Sequence, residues 1–75
     1  MNATYDAEVD IVMVYFATAK HHESEEIYPG VIADFDAEGR MISLEILHAS
    51  AKLAHGALAS IPAPDYSALR NANET

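Results

Sequence analysis

Residues 29–47 read PGVIADFDAEGRMISLEIL, and the alternation on either side of the acidic stretch decides the fold. Val31, Ala33 and Phe35 fall two apart, as do Ile42, Leu44 and Ile46, which is the period of a β-strand with one apolar face. Pro29-Gly30 opens the first run, because proline lacks the ladder donor and glycine admits positive φ. Between the runs, Asp36 to Gly39 supplies turn chemistry, with Gly39 placed for the left-handed conformation. A four-residue loop pairing Phe35 with Arg40 puts Val31, Ala33 and Phe35 on the face of Ile42, Leu44 and Ile46, and Ile32, Asp34, Met41, Ser43 and Glu45 on the other. A three-residue loop would set Asp34 beside Ile42, so the longer loop is expected. Glu45 then lies opposite Asp34 or its neighbours, where like charges repel. Arg40 is placed to offset this through Asp36 or Glu38.

Toward the N-terminus, Ala3 to Tyr5 reads as a short first strand, ended by the polar turn Asp6 to Asp10. Ile11 to Phe16 is rich in β-branched and aromatic residues and makes the second strand. Val12, Val14 and Phe16 share one of its faces, and Ile11, Met13 and Tyr15 share the other. Because both faces are apolar, the strand is central and covered twice, or Met13 and Tyr15 meet a partner subunit. Thr18 to His22 is expected to carry a hairpin connection to Ser24–Tyr28, an acidic strand suited to a sheet edge. Toward the C-terminus the period changes. Leu53, Ala54, Ala57, Leu58 and Ile61 lie at helical spacing, predicting one amphipathic helix from Ala49 to about Ser60 packed on the apolar sheet face. His48 or Ser50 sits near its start, and Gly56 is its weak point. Pro62-Ala63-Pro64 ends it, and Asp65 to Thr75 reads as a short helical turn carrying Tyr66 and Leu69, or as a disordered tail. The expected architecture is α+β: an antiparallel meander of four or five strands with one C-terminal helix, residues 1–61 forming the domain and 62–75 a tail.

At 75 residues the core is small, and folding buries only about 60 to 65% of the surface of the unfolded chain. Homo-oligomerisation is a natural way to widen the stability margin. Twelve acids against four bases give a formal charge of −8, which argues against nucleic acid, since binding phosphates needs clustered Lys and Arg. The absence of cysteine removes disulfide and thiolate chemistry. The N-terminus has no basic segment leading into an apolar one, and the longest apolar run, Ile11 to Ala17, is too short to cross a membrane. A cytoplasmic protein without membrane contact is expected.

Thr4-Tyr5-Asp6, the acid-rich turn to Asp10, Glu23-Ser24-Glu25-Glu26, Pro29-Gly30-Val31, Asp34-Phe35-Asp36, Gly39-Arg40 and Glu45-Ile46-Leu47 with Ala49-Ser50, in that order and spacing, resemble the small bacterial proteins grouped as domain of unknown function 2283. The resemblance spans residues 2 to about 54. It implies a β-meander followed by a C-terminal helix and no established activity, with some members resembling antitoxin-like partners of small toxin-like proteins. The family pattern usually has an acid where His48 stands, so the resemblance does not supply a carboxylate cap there.

Metal-ligand chemistry is concentrated in His21-His22 followed by Glu23, Glu25 and Glu26, where imidazole and carboxylate would suit zinc or nickel. On an extended strand His21 and His22 would point to opposite faces, so a solvated loop is the expected reading. His48 and His55 are seven apart, too far for chelation from successive helical turns. Asp34, Asp36, Glu38 and Glu45 lack the calcium-loop spacing and the enclosed cleft of a catalytic pair. The serines lie in no nucleophile motif, and the glycine-rich phosphate loops are absent. The expectation is a non-enzymatic, cofactor-free interaction module, a homodimer with a basic, toxin-like protein as a further partner. Its expected interaction residues are Ile11, Met13, Tyr15, Ile32, Met41, Tyr66 and Leu69. The alternative is a small metal- or ligand-binding protein using His21, His22 and Glu23.

Overall fold

A computed structural model of the chain describes residues 1–65. Five strands, β1 (Asn2–Asp6), β2 (Ile11–Tyr15), β3 (Glu23–Tyr28), β4 (Val31–Phe35) and β5 (Met41–Leu47), precede a short helix α1 (Ala49–Lys52) and a 3-10 turn η1 (Ala57–Ser60). All pairings are antiparallel, in one sheet of order β1-β2-β5-β4-β3. Strands β3, β4 and β5 meander, and β1 and β2 form a hairpin.

The expected hairpin between β2 and β3 is not present. Strand β2 pairs with β5 instead, Val12 opposite Ile46 and Val14 opposite Leu44, so residues 16–22 carry the chain across to the far edge. Apolar cross-strand pairs stabilise a central strand, and the glutamates of β3 offer β2 none. The crossing leaves through the N–H groups of Phe16 and Ala17, which donate to the Ile42 carbonyl at 2.8 and 3.4 Å. It arrives with His22 N–H on the Phe35 carbonyl at 2.8 Å.

The faces agree with the sequence alternation, but the register does not. Ala33 pairs with Leu44 and Val31 with Ile46, two residues on from the expected pairing, and a displacement of two leaves side chains on the same face. A β-bulge absorbs the difference: Asp34 is opposite Ser43, Phe35 opposite Met41, with Ile42 the extra residue. Met41 therefore pairs with Phe35 and leaves the row of Ile32, Ser43 and Glu45 in which it was expected. Glu45 lies between Met13 and Ile32, not against Asp34, so the expected carboxylate repulsion does not arise there. The inner face holds Val12, Ala33 and Ile42, all buried, with Val12 1% exposed and Ala33 fully covered.

Asp36 organises the β4–β5 turn. Its Oδ1 accepts the N–H groups of Glu38 and Arg40 at 3.0 and 2.9 Å, and its carbonyl accepts Gly39 N–H at 3.0 Å. Gly39 stands at φ 79°, as its position in the turn predicts. An added Cβ there meets nothing within 4 Å, so substitution is opposed by backbone conformation alone. Gly39→Val is expected to lose about 1–3 kcal/mol, and Gly39→Asn, which tolerates this conformation, much less. Urea midpoints of the two variants check this. The Arg40 ion pairs to Asp36 (3.4 Å) and Glu38 (3.6 Å) exist, but with the Arg40 side chain three-quarters exposed they contribute little.

The long C-terminal helix is not formed. Helix α1 has four residues and ends at Leu53, whose backbone is extended (φ −88°, ψ 153°). Gly56 turns left-handed at φ 88° before η1. Alanine propensity alone does not sustain so short a helix, and a left-handed Gly56 cannot lie inside one. What holds α1 is Asp10, at φ 58°. Its carbonyl accepts Ala49 N–H at 2.9 Å, its Oδ1 accepts Ser50 N–H at 3.0 Å, and its Oδ2 accepts Ser50 Oγ–H at 2.7 Å. Asp10 thus satisfies the first orphan donors of the helix from the β1–β2 turn, while His48, left-handed at the N-cap, gives no side-chain cap. Lys52 Nζ donates to the Leu47 carbonyl, tying the end of α1 back to β5. The chain then reaches the outer edge of β1, where Tyr5 N–H donates to the Pro62 carbonyl at 2.8 Å.

Candidate interaction site

The register sorts the outer face of the sheet into three rows. Ile11 stands beside Leu47; Thr4, Met13, Glu45, Ile32 and Glu26 follow one another across all five strands; and Asn2, Tyr15, Ser43, Asp34 and Ser24 do the same. Of the expected interaction residues, Ile11, Met13, Tyr15 and Ile32 fall together on this face. Ile11, Met13 and Ile32 are half-buried and Tyr15 is 42% exposed. Met41 is exposed at the bulge, and Tyr66 and Leu69 lie outside the described residues.

Beside the apolar row runs a polar chain. Asp34 accepts Ser24 Oγ–H on Oδ1 at 2.6 Å and Ser43 Oγ–H on Oδ2 at 2.7 Å. His21 Nε2 lies 2.8 Å from Ser24 Oγ and 3.7 Å from Asp34 Oδ1. Ser43 is buried, and the Asp34 carboxylate supplies the partner that a buried hydroxyl requires. The Ser24 hydroxyl holds Asp34 below the usual carboxylate range, followed by Ser43, with His21 adding to both and burial opposing. His21, Ser24 and Asp34 contain the residue types of a nucleophilic triad, but in another order. The Ser24 proton is committed to Asp34, so His21 donates to the serine rather than accepting from it, the reverse of base activation. A carboxylate with a depressed pKa is also a weak general base at neutral pH.

Because Asp34 is depressed in the folded state, its contribution is present above the unfolded carboxyl pKa of about 3.9 and is lost as pH falls through the lower folded value. Asp34→Asn is expected to lose about 1 kcal/mol at pH 7. The difference from wild type should shrink steadily below about pH 4, as read from urea denaturation at a series of pH values.

His22 and Glu23 are exposed and do not join His21 in a ligand set: among the described residues no group of three or more His, Asp or Glu side chains could hold a metal ion. An open groove of about 540 Å³ lies between Met1, Tyr15, Phe16 and Ile42. Among the described residues, no acidic, basic or imidazole side chain lines it. No described helix is long and apolar enough to cross a membrane.

Sequence reasoning missed Asp10 as a fastening residue. Its carboxyl is held low, first by the Ser50 hydroxyl and then by Tyr5, whose OH donates to Oδ1 at 2.7 Å. The phenol of Tyr5 is raised in turn, chiefly by that same bond. A family model described as a protein of unknown function, DUF2283, matches residues 2–50. The chain belongs to the DUF2283 family. Its match takes in all five strands and ends on Ser50, so the Asp10–Ser50 fastening lies wholly within the DUF2283 region. No curated protein and no solved structure matches the chain.

Proposed function

We propose that this DUF2283 chain is a non-enzymatic interaction module that associates with a second copy through the outer face of its sheet. The observation that carries this reading is the clustering of Ile11, Met13, Tyr15 and Ile32 on that face, where Tyr15 is 42% exposed. Large apolar side chains gathered on one open face of a small domain favour association over exposure. Glu45, between Met13 and Ile32, must remain hydrated or find a partner, so the sealed contact centres on Ile11, Met13 and Tyr15. With its formal charge of −8, the remaining surface suits a basic protein as a further partner. His21 is engaged with Ser24 and Asp34, and among the described residues His22 and Glu23 do not join it in a group that could hold a metal ion. That disfavours the metal- or ligand-binding alternative at His21, His22 and Glu23.

Met13→Glu tests the reading. It places a second carboxylate beside Glu45 in the outer row, where like charges oppose burial. The variant is expected to sediment as a monomer with unchanged far-UV circular dichroism, while Glu25→Lys on β3 leaves the wild-type association intact. Equal association of wild type and Met13→Glu would place the contact elsewhere.

A further inference from the structure

The sheet has two edges, and they differ. On β1, Tyr5 N–H is taken by the Pro62 carbonyl. Among the described residues the sheet ends at β3, which pairs with β4 alone, and all six of its residues, Glu23–Tyr28, are exposed. An edge strand carries a row of outward backbone donors and acceptors that can template another strand. Its side chains decide which strand. Glu23 and Glu25 stand on one face and Glu26 on the other, so an approaching strand meets carboxylates both above and below the plane of the sheet. A second copy of β3 would bring the same charges against them and is repelled. A lysine- or arginine-bearing strand meets no such barrier. Beyond the irregularity between Glu26 and Tyr28, Ile27 and Tyr28 are 49% and 65% exposed, which offers apolar contact at one end of the edge. Lys20, His21 and His22 precede the strand, so the acidic character is strongest from Glu23 to Glu26.

We infer that the free edge of β3 receives an extended basic segment of another protein by strand addition. Main-chain hydrogen bonds supply the affinity and Glu23, Glu25 and Glu26 select the charge. This deepens the basic-partner part of the function proposed above and is independent of the outer-face dimer.

The probe is an acetylated and amidated hexapeptide of alternating lysine and valine, titrated into the isotopically labelled full chain and followed by amide chemical shifts. Shifts are expected in β3 and β4, with the resonances of β1 unmoved. Two N-methylated versions, with alternate amides blocked in opposite phase, separate strand addition from charge attraction. One phase should weaken binding by about tenfold or more and the other little, because only alternate amides of an added strand face the sheet. Combined reversal of Glu23, Glu25 and Glu26 to lysine should abolish binding of the lysine peptide and admit a glutamate–valine one. Absence of binding at millimolar peptide, shifts centred on Met13 and Tyr15, or equal binding of the two N-methylated phases would each overturn the inference. None of these bears on whether Met13→Glu dissociates the dimer.

Discussion

Val12→Ala is expected to lower the melting temperature by roughly 10 °C. Among the described residues Val12 is the large side chain that is completely enclosed, at 1% exposure, in a buried set that otherwise consists of Ala33, Ile42, Ser43 and Ala49. It pairs with Tyr5 on one side and Ile46 on the other, so the methyls removed come from the middle of the inner face. Their transfer term and the cavity left behind amount to about 2 kcal/mol. In a domain of this size that is a large fraction of the total. Val14→Ala, on the same face but half-buried, should cost clearly less. Thermal unfolding of the two variants gives the comparison, and equal shifts would mean that the enclosure of Val12 carries no special weight.

Asp10→Ala is the second substitution with a large expected effect, because one side chain accepts three hydrogen bonds, from Tyr5 Oη, Ser50 N and Ser50 Oγ. Alanine is also ill suited to φ 58°, a conformation that aspartate and asparagine tolerate better. The first turn of α1 would lose its cap, and the C-terminal segment its tether to the β1–β2 turn. A fall in melting temperature comparable to that of Val12→Ala is expected, with Asp10→Asn intermediate. Tyrosine titration gives a second, local readout. The raised phenol of Tyr5 should return toward the ordinary value of about 10, so the upshifted component followed at the Tyr5 ring resonances disappears in Asp10→Ala. Persistence of that component would show that Asp10 does not hold Tyr5. As a carboxylate depressed in the folded state, Asp10 also contributes stability above the unfolded pKa that is lost as pH falls through its lower folded value.

The two faces of the β4–β5 hairpin were legible because side-chain parity survives any shift of two, and Val31, Ala33, Leu44 and Ile46 leave no doubt about parity. The register was not, since a bulge at Ile42 has no signature in the residues themselves. Gly39 was legible because only the backbone decides its position. The pairing of β2 with β5 was hidden by distance along the chain: local turn chemistry points from each strand to the next, while Val12 and Val14 select Ile46 and Leu44 about 30 residues on. Alanine and leucine spacing after residue 49 overstated the helix, because propensity counts for little over a segment broken at Leu53 and Gly56. The Asp10–Ser50 contact spans 40 residues and could not be read from either end. Both ends nevertheless lie in the pattern that marks the family. The outer-face residues Ile11, Met13 and Tyr15 were found because a second apolar face on a strand is unusual in a one-sheet domain, whereas Met41 was misplaced by the same bulge that shifted the register.

Sedimentation equilibrium of the wild-type chain over micromolar to millimolar concentration tests the outer-face contact most directly. The mass should rise with concentration to twice the 8.1 kDa of one chain and stop there. A constant mass of one chain over the whole range would contradict it.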